Sequence, residues 1–456
     1  MPPKATQLLA RYATGLRYQE IPSEVIARVK DCIIDTLAVT LYGSTKPWSR
    51  SVVNYVASMG CKGTSTVFGE RWKTQAPQAA LANGAMVHAF ELDNVRQPGA
   101  GVHAGATVLS ALAVAEELKA DGKSFLTAIV AACEVMFRIG VATGNSVEKR
   151  GFHAPALNGT FGSAVAVSRL LKLSERQTVH ALGIAGSYSG GLMEFSRCRE
   201  GAMIKRLHLG KAAEGGVTAA LLAQKGFAGP ESVLEGKFGF CRAFSDAPDL
   251  AYLTHRLGRE FESLNICIKR YACHINAHAP IEALQELKQQ YHFTPQDIKE
   301  IVVSGIEKLV THHGIYQPRD LMMAQYSIPF CVALSLYFDP REPESFDEKR
   351  IRDKKILTTT RLVKLKVDAE IEKKGWDRAA RVTVRLKNGK RHNALVIHFK
   401  GTPQNPLSPS ELEDKARRLT QPLLSHKKLG ELMDTVHRLE KVADLSVLSR
   451  LLRGQA

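Results

Sequence analysis

The feature that most constrains this chain is a change of hydrophobic period part-way along it. From Val25 to about Leu222 apolar residues recur at helical spacing, with little of the alternation that a half-buried strand requires. Ile26, Val29, Ile33 and Leu37 form one stripe, and Val108, Leu112, Ala115 and Leu118 form another, ended by Asp121-Gly122. The pattern continues over Phe125 to Ile139 and over Gly159 to Leu171. Two segments, GTFGSAVAVSRLL from Gly159 and GIAGSYSGG from Gly183, are rich in Gly, Ala and Ser. Small side chains let helices approach closely, so these segments predict a buried bundle and not a flexible linker. Their glycines are no dinucleotide fingerprint, because no strand precedes them and the G-x-G-x-x-G spacing is absent.

After about Phe261 the period changes to two. Ile298 to Gly305 reads as a short strand following a helix over Pro280 to Tyr291, and Arg361 to Ala369 as a second strand. Arg381 to Leu386 and Arg391 to Phe399 flank Asn388-Gly389, the strongest short hairpin signal. From Ser408 to Leu452 the pattern returns to helix. The expected fold is therefore mainly α with an α+β second domain. A large helical domain takes residues 1–262 together with the C-terminal helices of 403–456, and a smaller α+β domain over 263–402 is inserted before the C-terminus.

Composition excludes several classes. The 456 residues are 45% hydrophobic and 23% charged, which rules out a disordered, collagen-like or coiled-coil chain. No stretch approaches the ~20 uninterrupted apolar residues of a membrane span. The N-terminal residues lack the apolar core and cleavage site of a secretory signal. Eight cysteines spread thinly through apolar helical contexts read as reduced thiols, and the expected compartment is cytoplasmic. The formal charge is 62 − 45 = +17, and residues 341–400 supply 18 Lys+Arg against 9 Asp+Glu. Yet Leu362, Lys364 and Lys366 simply alternate with Val363, Leu365 and Val367, as on a strand with one wet face. No helix-turn-helix, zinc-finger or RNP-type motif appears, so a field attractive to small anions fits better than a nucleic-acid footprint.

Five short stretches concentrate His, Lys and acidic residues in Gly- or Pro-containing turns. They are HAFELDN from His88, GVHAG around His103, GFHAP around His153, IKRLHLG from Ile204 and IKRYACH from Ile268. A single histidine in such a place is more often structural than catalytic, but five such turns are harder to dismiss together. Cys267, Cys273, His274 and His278 match no standard zinc spacing.

These stretches resemble the MmgE/PrpD family. GFHAPALNGTFGSAVAVSRLLKLS is similar to the family's F-H-x-P-x-x-x-G-x-x-G-x-A-x-A-A segment, and KRLHLGKAAEGG to K-x-L-H-x-G-x-A-A-x-x-G. IKRYACHINAHAPIEAL resembles K-R-x-x-x-H-x-x-x-H, and AQYSIPFCVALSL resembles A-R-H-S-x-x-Y-x-x-A. The likeness runs through nearly the whole chain. It implies a helical domain joined to a smaller α+β domain, a homodimer, a small di- or tricarboxylate substrate, and neither cofactor nor metal. The activities it implies are those of 2-methylcitrate dehydratase, favoured here, or of cis-aconitate decarboxylase or iminodisuccinate epimerase. A non-catalytic anion- or nucleic-acid-binding protein on this fold is the alternative of another class.

The resemblance also assigns residues. It implies catalytic roles for His103, His153, Lys205 and His274, and substrate contacts from Glu91, Asp93, Arg206, His208, Lys269 and Tyr326, all converging on one cleft. The chemistry suits those types. Several carboxylates need neutralising, by the planar fork of Arg or the point charge of Lys. An enolate formed next to a carboxylate needs preorganised donors, and histidine, with its ordinary pKa near ~6.5, can serve as acid or base. His103 is expected to be the main proton-transfer group and His153 to orient substrate or act as a second acid or base, with His274 and Lys269 holding a carboxylate. Departures from the family pattern surround the first of these. The acidic stretch D-F-D-D-T, or E-L-D-D, reads Glu91-Leu92-Asp93-Asn94-Val95, the usual His-Pro is His103-Ala104, and the intervening loop differs.

Overall fold

A computed structural model of the chain describes residues 4–97, 101–196, 203–421 and 423–454. It divides into two compact units. The first contains the described residues of Met1–Ala89, Asp93–Cys267 and Leu412–Ala456, and the second those of Phe90–Leu92 and Ile268–Glu411.

The first unit is a helical bundle. Its principal helices are α1 (Ser23–Ser44), α2 (Ala76–Val87), α3 (Gly105–Leu118), α4 (Gly122–Thr143), α5 (Ala154–Leu170) and α6 (Ile204–Gln224). The α1 stripe of Val29, Ile33 and Leu37 is wholly buried, as periodicity requires. One boundary differs from the sequence reading. Asp121 does not end α3; its carboxylate accepts the Ser124 N–H and caps the start of α4, while α3 stops at Lys119 in a left-handed conformation. Helix α4 is long and apolar enough to cross a membrane by composition alone, but 94% of its apolar window is buried, as in a core helix.

Small residues set the spacing of α2, α5 and α6. A Cβ placed on Gly210 would lie 2.5 Å from the Leu81 carbonyl oxygen, and one on Gly216 would lie 2.7 Å from that of Thr160. Backbone therefore meets backbone there, and only glycine fits. The close packing fixes the first turn of α6 against the ends of α2 and α5, where the histidines lie. Near the end of the chain, Pro409–Thr420, His426–His437 and Ser446–Leu452 are helical.

The second unit is built on a four-stranded sheet of β1 (Ile298–Gly305), β2 (Val363–Val367), β3 (Ala380–Leu386) and β4 (Arg391–Val396), in the order β2-β1-β3-β4. The β1–β2 pair is parallel and the other two are antiparallel. Between β3 and β4, Gly389 takes φ +85°, a left-handed conformation that glycine adopts without a side-chain clash. On β2, Val363 is buried while Lys364 and Lys366 face water. The helix His278–Tyr291 buries Ile281, Leu284 and Leu287. The short segment Phe90–Leu92 is tied to this unit by Gln325, whose Nε2 donates to the carbonyls of Phe90 (3.1 Å) and Ala272 (2.9 Å).

Candidate active site

In the helical unit, the ends of helices and one loop bring four histidines together around a carboxylate. His88 caps the C-terminus of α2, and His153 occupies the N-cap position of α5. Lys205 and His208 stand three residues apart in the first turn of α6, hence on one face. The loop carrying Asp93 and His103 is pinned by a short pairing of Val95–Arg96 with Ile266–Cys267 and by the Arg96 N–H donating to the Val102 carbonyl at 2.8 Å. A buried ion pair between Arg96 and Glu262, 2.6 Å, anchors it further. Residues 98–100 of that loop lie outside the described residues, as does Cys198.

Asp93 is fully buried and its Oδ2 serves two imidazoles. His88 Nδ1 is 2.9 Å away in a hydrogen bond, and His103 Nδ1 is 2.5 Å away as an ion-pair contact off the ring's ideal donor axis. Burial would push the carboxyl up, but the two imidazoles outweigh it and hold Asp93 well below the usual carboxylate range. A carboxylate can only accept, so His88 carries its proton on Nδ1 and keeps a lone pair on Nε2, which has no hydrogen-bond partner among the described residues. Burial pulls the His88 pKa down to about 3, against the attraction of Asp93 and with help from Lys205.

His153 and His208 form a second pair, Nδ1 to Nδ1, at 2.9 Å. Two nitrogens at that distance need one proton between them, so one is donor and the other acceptor. Burial holds His153 well below its ordinary value, with the imidazoles of His88, His208 and His103 acting the same way, and burial with Lys205 brings His208 to about 4. Phe195 packs edge-on against both rings, with centroids 5.3 Å and 5.8 Å away, and the His153 ring lies 5.6 Å from that of His88. Arg206, next to Lys205, lays its guanidinium 3.4 Å over the Trp48 ring.

The second unit gathers a different set. Lys269 Nζ is 3.4 Å from Glu91 Oε2, both buried, and Glu91 takes φ +57°, a left-handed conformation uncommon for a side-chain-bearing residue. His274 accepts the Asn276 N–H at Nδ1, 3.3 Å, which leaves Nε2 as its N–H donor. Its ring lies 4.2 Å from His313 and 4.8 Å from Tyr326. His313 donates from Nδ1 to the Tyr326 carbonyl at 3.0 Å, so its Nε2 is a buried acceptor. Burial first, then His313, Arg378, Lys308 and Lys269, depress the His274 pKa well below normal, and burial brings His313 to about 3.

Comparison with known proteins gives the frame for these clusters. The MmgE/PrpD N-terminal domain matches residues 7–253, and the MmgE/PrpD C-terminal domain matches residues 271–441. The chain belongs to the MmgE/PrpD family. It is 29% identical to the cis-aconitate decarboxylase-like protein oryM of Aspergillus oryzae over 99% of this chain and 97% of that one. Against the cis-aconitate decarboxylase of Aspergillus terreus the identity is 28%, covering 98% and 95%. Against that of Homo sapiens it is also 28%, covering 98% and 94%. The lyase class expected from the sequence agrees with these relatives.

Of the residues the MmgE/PrpD resemblance singles out, Asp93, His103, His153, Lys205 and His208 belong to the helical unit's cluster, and Glu91, Lys269, His274 and Tyr326 to the second unit. Arg206 is turned onto Trp48. Sequence reasoning missed His88, although it opens the stretch containing Asp93, and it missed His313 and Arg378, which no motif marks. His88, Asp93 and His103 also offer ligand atoms all within 4.8 Å of one another, a set a divalent metal could use. The two Nδ1 contacts to one oxygen describe equally a carboxylate orienting two imidazoles, in the manner of an aspartate that fixes a catalytic histidine's tautomer.

Proposed function

We propose that this protein is a lyase acting on a small tricarboxylate, and that it removes CO₂ from a cis-aconitate-like acid. The observation that carries the reading is Asp93, buried and in contact with the Nδ1 atoms of both His88 and His103. The relatives' names supply the substrate class. Breaking the carbon–carboxylate bond leaves its electron pair on carbon, where a neighbouring unsaturated carboxylate delocalises it as an enolate. That carbon must then gain a proton. With Nδ1 turned to Asp93, His103 is left with Nε2 to deliver it, and Asp93 stabilises the imidazolium that gives it up. The neutral imidazole afterwards regains a proton from solvent. Lys205, in the same buried cluster, offers the developing anion a fixed positive charge.

A second reading, dehydration of a citrate-like hydroxy acid as in 2-methylcitrate dehydratase, draws support from a different observation. Burial keeps His88, His153 and His208 neutral, which suits groups that take a proton from carbon next to a carboxylate. A homodimer in the cytoplasm is part of the same proposal.

Incubating the purified protein in D₂O with cis-aconitate, 2-methylcitrate, citrate and amino- or imino-dicarboxylates separates the readings by proton NMR. Decarboxylation yields a product one carbon shorter with deuterium at the protonated carbon. Dehydration yields an alkene of unchanged carbon count, and simple exchange yields only deuterated substrate. Conversion of 2-methylcitrate without any loss of CO₂ from cis-aconitate would reverse the preference.

A further inference from the structure

The amide that stands beside Asp93 is joined to both sides of the loop. Asn94 Nδ2 donates to Asp35 Oδ2 at 3.1 Å and to Thr36 Oγ1 at 3.0 Å, while its Oδ1 accepts the Ala104 N–H at 3.3 Å. Asn94 and Thr36 are completely buried, and Asp35 very nearly so. Asp35, on α1, is ion-paired through Oδ1 with Lys415 on the helix Pro409–Thr420. One side chain thus makes three hydrogen bonds. It fixes the residue directly after Asp93 to α1, and the residue directly after His103 to itself.

We propose that Asn94 is a positioning residue that sets the Asp93–His103 contact, with the buried Asp35–Lys415 pair as its anchor. The proposal rests on the proton-transfer role given to His103 above. Its physical logic is one of donor count. Asp35 can only accept, so the atom facing its Oδ2 must be a donor, whereas Ala104 presents a donor and needs an acceptor. Only a neutral amide meets both demands without titrating. The titratable groups facing this point are Asp35 and Lys415, with Asp93 adjacent in the chain and Asp31 and Cys32 of α1 within electrostatic reach of Asp35. A carboxylate at position 94 would lie against Asp35 with one lysine between two negative charges. Such a pair must keep a proton, which then serves as the missing donor.

Three variants test this. In Asn94→Ala the loop loses its tether, so kcat should fall on the order of tenfold to a hundredfold with KM little changed. The Ala104 amide should also exchange hydrogen faster. Asn94→Asp should work at acid pH, where the shared proton is held, and lose activity reversibly as pH rises, a limb absent from the wild type. Its thermal stability should fall over the same range, because a carboxyl whose pKa is raised by folding stabilises only while protonated. In an Asn94→Asp background Lys415→Met should move the alkaline loss to higher pH, because Lys415 favours the ionised carboxylates. Wild-type kcat and pH profile in both Asn94 variants would overturn the proposal. If the wild type converts none of the acids tested, the functional reading fails instead. The inference then stands or falls on Ala104 exchange in Asn94→Ala and on the pH-dependent melting of Asn94→Asp.

Discussion

The two units each bury histidines, yet their surroundings are opposite in kind. In the helical unit the imidazoles of His88 and His103 share a carboxylate, Asp93. In the second unit His274 and His313 lie against each other under the influence of Arg378, Lys308 and Lys269, with Tyr326 alongside. Burial depresses His88 in the first unit and both His274 and His313 in the second. A carboxylate partner stabilises an imidazolium when one forms, which suits a group that gains and loses protons. A ring of cations makes protonation still harder and leaves the neutral His274 as a fixed N–H donor, which suits recognition of an anion. Residue type is the same in both places, and only the neighbours assign the work.

The largest expected effect tests the first half of that contrast. His103→Ala should lower kcat by roughly 10²–10⁴-fold, the usual contribution of a positioned proton-transfer group, with little change in substrate affinity. Full turnover in this variant would remove the role given to His103. Next in size is the anion-binding half. Lys269→Met removes a charge-assisted contact of about 1.5–3 kcal/mol and should raise KM roughly tenfold to a hundredfold while kcat moves less. Because Glu91 would be left buried without its cation, the single variant should also lose stability. Glu91→Gln/Lys269→Met should recover the melting temperature but not the KM. Recovery of both would make the pair purely structural.

A smaller effect compares the units through pH. The histidines brought to about 3 or 4, namely His88, His208 and His313, are neutral when folded and gain a proton near ~6.5 when unfolded. A depressed pKa of this kind means the unfolded state binds more protons. Stability is thus fully present above ~6.5 and is lost as pH falls towards 4. Calorimetry should record a declining melting temperature over that window. The decline should shrink in His313→Gln and in His88→Gln, and an unchanged slope in either would mean that its imidazole titrates normally.

How much of this was legible in the sequence depends on the range of the forces involved. Helix α1, the strand Ile298–Gly305 and the Asn388-Gly389 turn follow from local period and turn chemistry, and the structure has them where the pattern does. Asp121 was misread because an Asp-Gly pair can end one helix or cap the next, and only the Ser124 N–H it receives decides between them. The pattern returns to a helical period at Ser408, and the described residues of Leu412–Ala456 lie in the helical unit. The site was legible only where a motif spoke. His88 went unassigned because its importance lies in a 2.9 Å contact with Asp93, and a spacing of five residues across a helix end has no periodic signature. His313, Arg378 and the Asn94–Asp35–Lys415 chain are long-range juxtapositions, and a single sequence carries no trace of those. Arg206, promising as a carboxylate fork, meets Trp48 from 158 positions away.

The smallest expected effect is on metal removal, and it bears on what Asp93 is for. His88, Asp93 and His103 present two nitrogens and a carboxylate within 4.8 Å, and burial keeps His88 neutral, as a metal ligand must be. On composition alone the trio suits zinc as well as it suits acid–base work. The His88 contact favours acid–base work. His88 Nδ1 shares a proton with an Asp93 oxygen at 2.9 Å and His103 Nδ1 stands 2.5 Å from the same oxygen, so a cation between them would have to displace the His88 proton. Exhaustive dialysis against a chelator should therefore leave turnover and melting temperature unchanged. Added zinc should, if anything, inhibit, by taking the Nδ1 positions that Asp93 holds. Loss of activity on dialysis, restored by stoichiometric zinc and absent in His88→Gln, would turn the carboxylate from a partner of His103 into a ligand. The contrast between the two units would then be one of metal against cation and not of proton transfer against anion recognition.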